Sequence, residues 1–401
     1  MQIKKAYLLK EFESKKLINK KKIKVFIVAG ELSGDLLGEG LIIELKKMTN
    51  DIEIFGVGGN KMIAQGLKPI FNIKFLSIMG IFEVILKIPK VIKLLNLAKS
   101  KIIEINPDIV ITIDAPGFNF RLQKSIKSLG IKQIHYVAPS VWAWKSYRAK
   151  KITKFLDHLL VLFPFEKKFF IKEGLSTTFV GHPIAFDDYY NNNQYFLEKS
   201  LTEKALKKIV ILPGSRISEI KKLMPVFIKA AELLNKNYKE IKFYIVTLTE
   251  YKTIIMEYFK DTNLNFYITS SHDERYNIYG KADFALCASG TVTMELAKAS
   301  TAMLVVYKLH FITWFILKAM VKVKTATIIN IILKENVIPE LFQQDVNEFN
   351  IHRIIKSYLD DDNLNKIQIK KLKIAINELK SGTNDPSYIA AKSVLSYINI
   401  N

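Results

Sequence analysis

Several short stretches combine residue types that can do chemistry. An apolar run at 109–113 ends in Asp114, followed by Ala115-Pro116-Gly117. A carboxylate there, ahead of a proline turn, can take the proton of an incoming hydroxyl. It fits equally well as a turn residue bonded to its own backbone. A second run, 209–212, leads into Pro213-Gly214-Ser215-Arg216. The helix after it is expected to begin near Ser218 with Glu219 in its first turn. Arg216 so placed can bind a diphosphate bidentately, backed by the helix N-terminus. A third turn, Cys287-Ala288-Ser289-Gly290-Thr291, is a similar cradle, and Glu295 stands where it could accept two hydrogen bonds from a ribose diol. One such turn is common. Two in one α/β domain point to a nucleoside diphosphate.

The first turn of the chain, Ala29-Gly30-Glu31-Leu32-Ser33-Gly34-Asp35, is also glycine-rich, but Gly30, Gly34 and Gly38 lack the dinucleotide spacing. A structural turn and a ligand-contacting turn both fit it. Trp142 and Trp144 stand two apart in a proline-containing loop. They suit core packing, or a sugar or lipid platform with an N–H handle. Over 79–97, Ile81, Val84, Ile85, Ile88, Val91, Ile92 and Leu95 recur at helical spacing, with Pro89 expected to break or kink the helix. Such a helix can pack on a core, or lie with its basic flank on an anionic bilayer.

These turns need elements to hold them. Short runs rich in Val, Ile and Phe at 24–29, 52–57, 109–113, 133–137, 159–163 and 178–180 predict parallel strands buried on both faces. A polar stretch at 187–194 interrupts the pattern, with a hinge expected at 183–194. Strands are predicted again at 209–212, 241–246, 265–269, 284–287 and 303–307, and helices alone after about 346. The fold class is α/β, with two doubly wound domains facing a cleft, and chemistry is expected at the carboxyl ends of the strands.

Composition narrows the function. The chain has 401 residues, 49% hydrophobic and 24% charged, which excludes disorder throughout. Cys287 is the single cysteine, so disulfide scaffolds and cysteine zinc sites are excluded. The net charge is +22, from 60 basic and 38 acidic residues. It attracts anionic partners in general, or reflects a lysine-rich composition overall. Only five basic residues are arginines, so Arg216 argues for geometry that lysine cannot supply. No stretch approaches the roughly 20 apolar residues of a membrane span. The lysine-rich start is not a secretory signal and reads as a basic arm.

Taken in order, these motifs resemble the lipid A disaccharide synthases, glycosyltransferases of the GT-B fold. The resemblance runs through Ala29-Gly30-Glu31 with Ser33-Gly34-Asp35, Met79-Gly80, Ile113-Asp114-Ala115-Pro116 and Pro139-Ser140-Val141-Trp142-Ala143-Trp144. It continues through Pro164-Phe165-Glu166, Gly181-His182, Leu212-Pro213-Gly214-Ser215-Arg216, Ala288-Ser289-Gly290-Thr291 and Asn330. It implies transfer of sugar from UDP-2,3-diacylglucosamine to 2,3-diacylglucosamine 1-phosphate, with inversion, without metal or organic cofactor. It implies Asp114 as general base, with Arg216 and Asn330 linked to activity. Gly214, Ser215, Arg216, Ser289, Gly290, Thr291 and Glu295 are then expected to hold UDP. Glu31, Ser33, Gly34, Asp35, Trp142 and Trp144 are expected on the acceptor side, and Met79, Ile81, Val84, Ile85 and Ile88 against acyl chains or membrane. A second apolar entrance is expected at 311–323. The implied setting is cytoplasmic, peripheral on the inner face of the inner membrane, with a homodimer.

The expected divisions are 1–22, a basic extension; 23–185, the acceptor and membrane-facing domain; 186–345, the UDP-sugar domain; and 346–401, helices packing back on the first domain. His182 is expected to be structural or cleft-lining, and Asp360-Asp361-Asp362 a solvated loop rather than a metal motif. Gly117 departs from the family, where some relatives carry an acidic residue. Two other readings stay open. One is another GT-B enzyme such as a UDP-GlcNAc 2-epimerase. The other is a basic nucleic-acid-binding protein, which the dispersed lysines and missing motifs disfavour, so no nucleic acid partner is expected.

Overall fold

The computed structural model describes residues 22–77, 84–142, 147–187, 206–309 and 325–398. Met79, Ile81, Trp144 and the stretch 311–323 lie outside the described residues, as do the side chains of Val84, Ile85 and Ile88.

Two parallel sheets organise the chain. The first comprises β1 (Ile23–Ala29), β2 (Ile52–Val57), β3 (Leu67–Pro69), β4 (Ile109–Ile113), β5 (Lys132–Tyr136), β6 (His158–Val161) and β7 (Thr177–Phe179), in the order β3-β2-β1-β4-β5-β6-β7. The second comprises β8 (Lys207–Leu212), β9 (Ile241–Val246), β10 (Phe266–Thr269), β11 (Phe284–Ala288), β12 (Met303–Tyr307) and β13 (Glu340–Phe342), in the order β10-β9-β8-β11-β12-β13. Helices connect the strands, because parallel neighbours need a crossover.

The continuous apolar runs have a direct cause. Ile209 and Ile211 face one buried cluster with Phe227 and Phe243, while Val210 and Leu212 face another with Tyr279 and Leu296. Both faces of the strand are covered, so alternation disappears. The edge strands β3 and β13, three residues each, were not expected from sequence.

Each sheet reverses its strand order at its first strand. In the first sheet the reversal lies between β1 and β4, where Ala29 is in register with Ile113. In the second it lies between β8 and β11, where Leu212 is in register with Cys287. Crevices form at the carboxyl ends of strands at such points. The turns that follow these strands begin at Gly30, Asp114, Pro213 and Ser289.

The C-terminal helices divide between the two sheets, which corrects the expectation that 346–401 packs on the first domain as a block. Helix Glu348–Asp360 buries Ile351, Ile355 and Leu359 in the second-sheet core, and Asp362–Glu378 buries Leu372, Ala375 and Ile376 there. Only Pro386–Leu395 returns to the first sheet, packing on helix Leu32–Met48 through Ala390, Ala391 and Val394. The returning segment runs beside the outgoing one: His182 N–H donates to the Leu379 carbonyl at 2.9 Å, and Ser381 Oγ donates to the Phe179 carbonyl at 2.7 Å. Gly181, at φ +91, lies against this crossing; a Cβ there would sit 3.0 Å from the Leu379 carbonyl oxygen.

Helix Val84–Ile105 carries Pro89 without interruption. The proline has no N–H to donate one turn back, and the helix continues through it. Beyond it, Val91, Leu94, Ala98 and Ile102 face the core, whereas Ile92 and Ile103 are exposed.

Candidate active site

The turn after β4 is strained. Asp114 and Ala115 both adopt the left-handed region, at φ +54 and +42, a conformation that costs non-glycine residues about 1 kcal/mol or more each. Three contacts hold it. Asp114 N–H donates to the Tyr136 carbonyl at 2.9 Å, the Asn119 side-chain amide donates to the Asp114 carbonyl at 2.7 Å, and Asp114 Oδ1 accepts from Ala115 N–H at 2.7 Å. Oδ2 is left facing Ser33 Oγ, a long contact of 3.4 Å. Gly30 must be bare, because a Cβ there would lie 2.1 Å from the Ala115 Cβ.

Glu31 opens helix Leu32–Met48 beside this turn. Burial and the neighbouring Asp114 push its carboxyl above the ordinary range, and Arg216 opposes the shift. Glu31, beside Asp114 on the first sheet, therefore lies within electrostatic reach of a guanidinium of the second.

The second-sheet turns enclose a cleft of ≈ 300 Å³, and every expected UDP contact lines it: Gly214, Ser215, Arg216, Ser289, Gly290, Thr291 and Glu295. Helix Ile217–Asn237 begins where expected, with Glu219 in its first turn. Glu219 pairs with Arg216 at 3.2 Å. Thr247 and Leu248, after β9, add to the wall.

Sequence reasoning missed Arg275 as a site residue. Its Nη2 lies 3.3 Å from Glu295 Oε1 and 3.2 Å from the Tyr276 hydroxyl, and its guanidinium lies over the Tyr276 ring at 4.9 Å. Burial raises the Glu295 carboxyl, and Arg275 counters it. The signal was available, because Arg275 is one of few arginines in a lysine-rich chain.

Three expected site residues turn inward. Asp35 is buried and accepts from the N–H groups of Gly59 at 2.7 Å and of Lys61 and Met62 at 3.1 Å. It caps the helix Asn60–Ala64 instead of facing an acceptor, which corrects its assignment. Gly34 brings its helix close to Ile113: a Cβ would meet the Ile113 carbonyl at 3.4 Å. Asn330 also points inward. It is 1% exposed and does not line the cleft. Its amide donates to the Ile338 carbonyl and accepts from Ile338 N–H, both at 2.9 Å, and donates to Thr325 Oγ1 at 3.3 Å. It fixes the chain entering β13.

Trp142 packs edge-on against Phe165, ring centroids 5.3 Å apart, with its indole nitrogen buried. Burial pushes the nearby Glu166 carboxyl up to about 8, against the Phe163 and Trp142 N–H groups. His182 Nδ1 accepts from Ile184 N–H, the ring stacks on Phe163, and burial lowers its pKa to about 4. It caps the short turn Pro183–Ala185. Asp361 caps helix Asp362–Glu378, and Asp360 pairs with Lys356. No group of three or more metal-ligating side chains occurs among the described residues.

Two doubly wound α/β sheets, with a cleft at the carboxyl ends of the second sheet's strands, define the GT-B fold. The chain belongs to the lipid-A-disaccharide synthase family: that family's model, described as lipid-A-disaccharide synthetase, matches residues 25–394. The lipid-A-disaccharide synthase of Rhodospirillum centenum is 33% identical over 383 residues, covering 94% of this chain and 95% of that one. The synthase of Idiomarina loihiensis is 36% identical over 346 residues, covering 85% and 90%. Among solved structures, UDP-GlcNAc 2-epimerase from Neisseria meningitidis, bound to UDP-GlcNAc, aligns with a TM-score of 0.62 over 93% of this chain and 100% of its own. At 14% identity it shares the fold alone.

Proposed function

We propose that the chain transfers the sugar of UDP-2,3-diacylglucosamine to 2,3-diacylglucosamine 1-phosphate, giving the β-1′,6-linked disaccharide 1-phosphate and UDP. Besides family membership, one observation carries the reading: Glu31, beside Asp114 at the first sheet's switch point, lies within electrostatic reach of Arg216 at the second's.

Asp114 Oδ1 is held by backbone, so Oδ2 is the oxygen available to take the acceptor's 6-hydroxyl proton. The hydroxyl oxygen then bonds to the donor's anomeric carbon from the face opposite UDP. The bond to the diphosphate oxygen breaks, its electron pair leaves with UDP, and the centre inverts. UDP departs as a stabilised anion, so a second carboxylic acid is not needed, unlike ordinary glycoside hydrolysis. Arg216 and the unpaired N–H groups opening helix Ile217–Asn237 offset the charge that develops. Glu295, braced by Arg275, takes the ribose diol.

Peripheral association with an anionic membrane surface belongs to the same proposal. No described helix is long and apolar enough to cross a membrane. Phe75, Ile92 and Ile103 are exposed, and the Lys90 ammonium lies 4.6 Å over the Phe75 ring. Lysines beside apolar groups suit an anionic interface. Flotation with anionic vesicles is expected to carry the protein upward, and failure with every lipid would overturn this part. Sedimentation velocity tests the homodimer. The transfer itself is tested by acceptor-dependent release of UDP with recovery of the disaccharide.

A further inference from the structure

The Gly214–Arg216 turn already faces an anion, and it belongs to the protein. Glu219 Oε1 accepts from the Arg216 guanidinium at 3.2 Å. Its other oxygen, Oε2, lies 2.5 Å from where a Cβ on Gly214 would stand, and Gly214 has φ +109. The carboxylate therefore occupies the space a side chain at Gly214 would take, in the turn that is to receive a diphosphate, and it lines the same cleft as Ser289 and Glu295. Arg216 is otherwise open to solvent, its side chain 77% accessible. A first-turn acid is electrostatically at home on a helix. Helix stability alone does not require it to engage Arg216.

We propose that Glu219 is the resting counter-ion of Arg216 and that the donor's diphosphate takes its place. Glu219 is then a positioning residue. It keeps Arg216 at the turn before substrate arrives, competes with the diphosphate for the guanidinium, and reclaims it as UDP leaves. This deepens the function proposed above and rests on it. The diphosphate wins because it carries more charge and can accept from both arms of the fork. It must still displace an existing ion pair, which weakens UDP binding and speeds its release.

The test is calorimetric. The Kd of UDP is measured for the full-length protein, Glu219→Gln, Arg216→Gln and the double variant, with folding checked by circular dichroism. Glu219→Ala serves if the glutamine variant does not fold. Glu219→Gln is expected to tighten UDP binding by about three- to tenfold, the scale of one partly screened charge interaction. The donor KM is expected to fall by a similar factor while kcat does not rise, a split that a merely structural role would not produce. In the Arg216→Gln background the gain is expected to shrink to within about twofold, because the pair acts through Arg216. Equal or weaker UDP binding by Glu219→Gln overturns the proposal, as does full retention of the gain without Arg216. Folded wild-type protein that binds no UDP would overturn the nucleotide reading itself, and this inference with it.

Discussion

Asn330 separates a residue that touches substrate from one that builds the site. Its side chain makes two 2.9 Å bonds to the main chain of Ile338 and a third to Thr325 Oγ1 at 3.3 Å, and it is 1% exposed. Replacing it by alanine leaves the Ile338 N–H and C=O without these partners. Each stranded backbone group costs about 1–3 kcal/mol, so Asn330→Ala is expected to lose about 2–6 kcal/mol of stability. Asn330→Asp keeps the acceptor for Ile338 N–H, loses the donor, and adds a buried charge, so it is expected to be no better than alanine. Urea unfolding read by tryptophan fluorescence gives the stability, and UDP calorimetry on the folded fraction gives the affinity. The expected result is a lowered midpoint with UDP affinity within about threefold of wild type. An unchanged midpoint with collapsed UDP affinity would refute the reasoning and return Asn330 to the diphosphate.

The remaining expectations concern charge. Arg275→Gln should release Glu295 from its 3.3 Å partner. Its UDP affinity is expected to fall about tenfold, with a smaller loss for 2′-deoxy-UDP, whose missing hydroxyl makes less use of Glu295; equal losses would place Arg275 elsewhere in recognition. Glu166 ordinarily titrates near 4.5 and is raised to about 8 by burial. The folded state holds a proton that the unfolded state releases, so this stability is present below about 4.5 and is lost as pH rises through about 8. Glu166→Gln is expected to flatten the fall in melting temperature between these values, and an unaltered profile would contradict the assignment. His158 runs the other way, lowered from 6.5 to about 4 mainly by burial. Its neutral ring meets Ser393 Oγ at 2.9 Å and Tyr397 OH at 3.1 Å. The unfolded state binds the extra proton, so stability falls as pH drops from 6.5 towards 4; His158→Gln should lessen that acid limb.

Much of this architecture is written locally in the sequence. The runs that became β1, β4 and β8 are continuous because both of their faces are buried, and each ends at a turn with its own backbone chemistry. The two turns that line the second-sheet cleft were legible for that reason. The edge strands were not: β13 is Glu340–Phe342, too short for a pattern and paired only with β12. Asp35 was misread because its partners, Gly59 and Met62, lie 24 and 27 positions away, and only the folded chain brings them to it. Asn330 carried a role through resemblance, while its burial depends on a turn reaching Ile338. Arg275 lies in a polar helix, His272–Lys281, with no motif around it; its pairing with Glu295 spans two connections of the sheet. The C-terminal helices could be predicted as helices, but which sheet each would cover depended on cores the local pattern does not identify.

The most direct test of the central claim is UDP release from UDP-2,3-diacylglucosamine, with and without 2,3-diacylglucosamine 1-phosphate, by wild type and Asp114→Asn. Asparagine preserves the side chain's shape but removes the base, so release is expected to depend on acceptor and to fall about 10²- to 10⁴-fold in the variant. UDP binding is expected to remain. Wild-type rates from Asp114→Asn, or release indifferent to acceptor, would contradict the account.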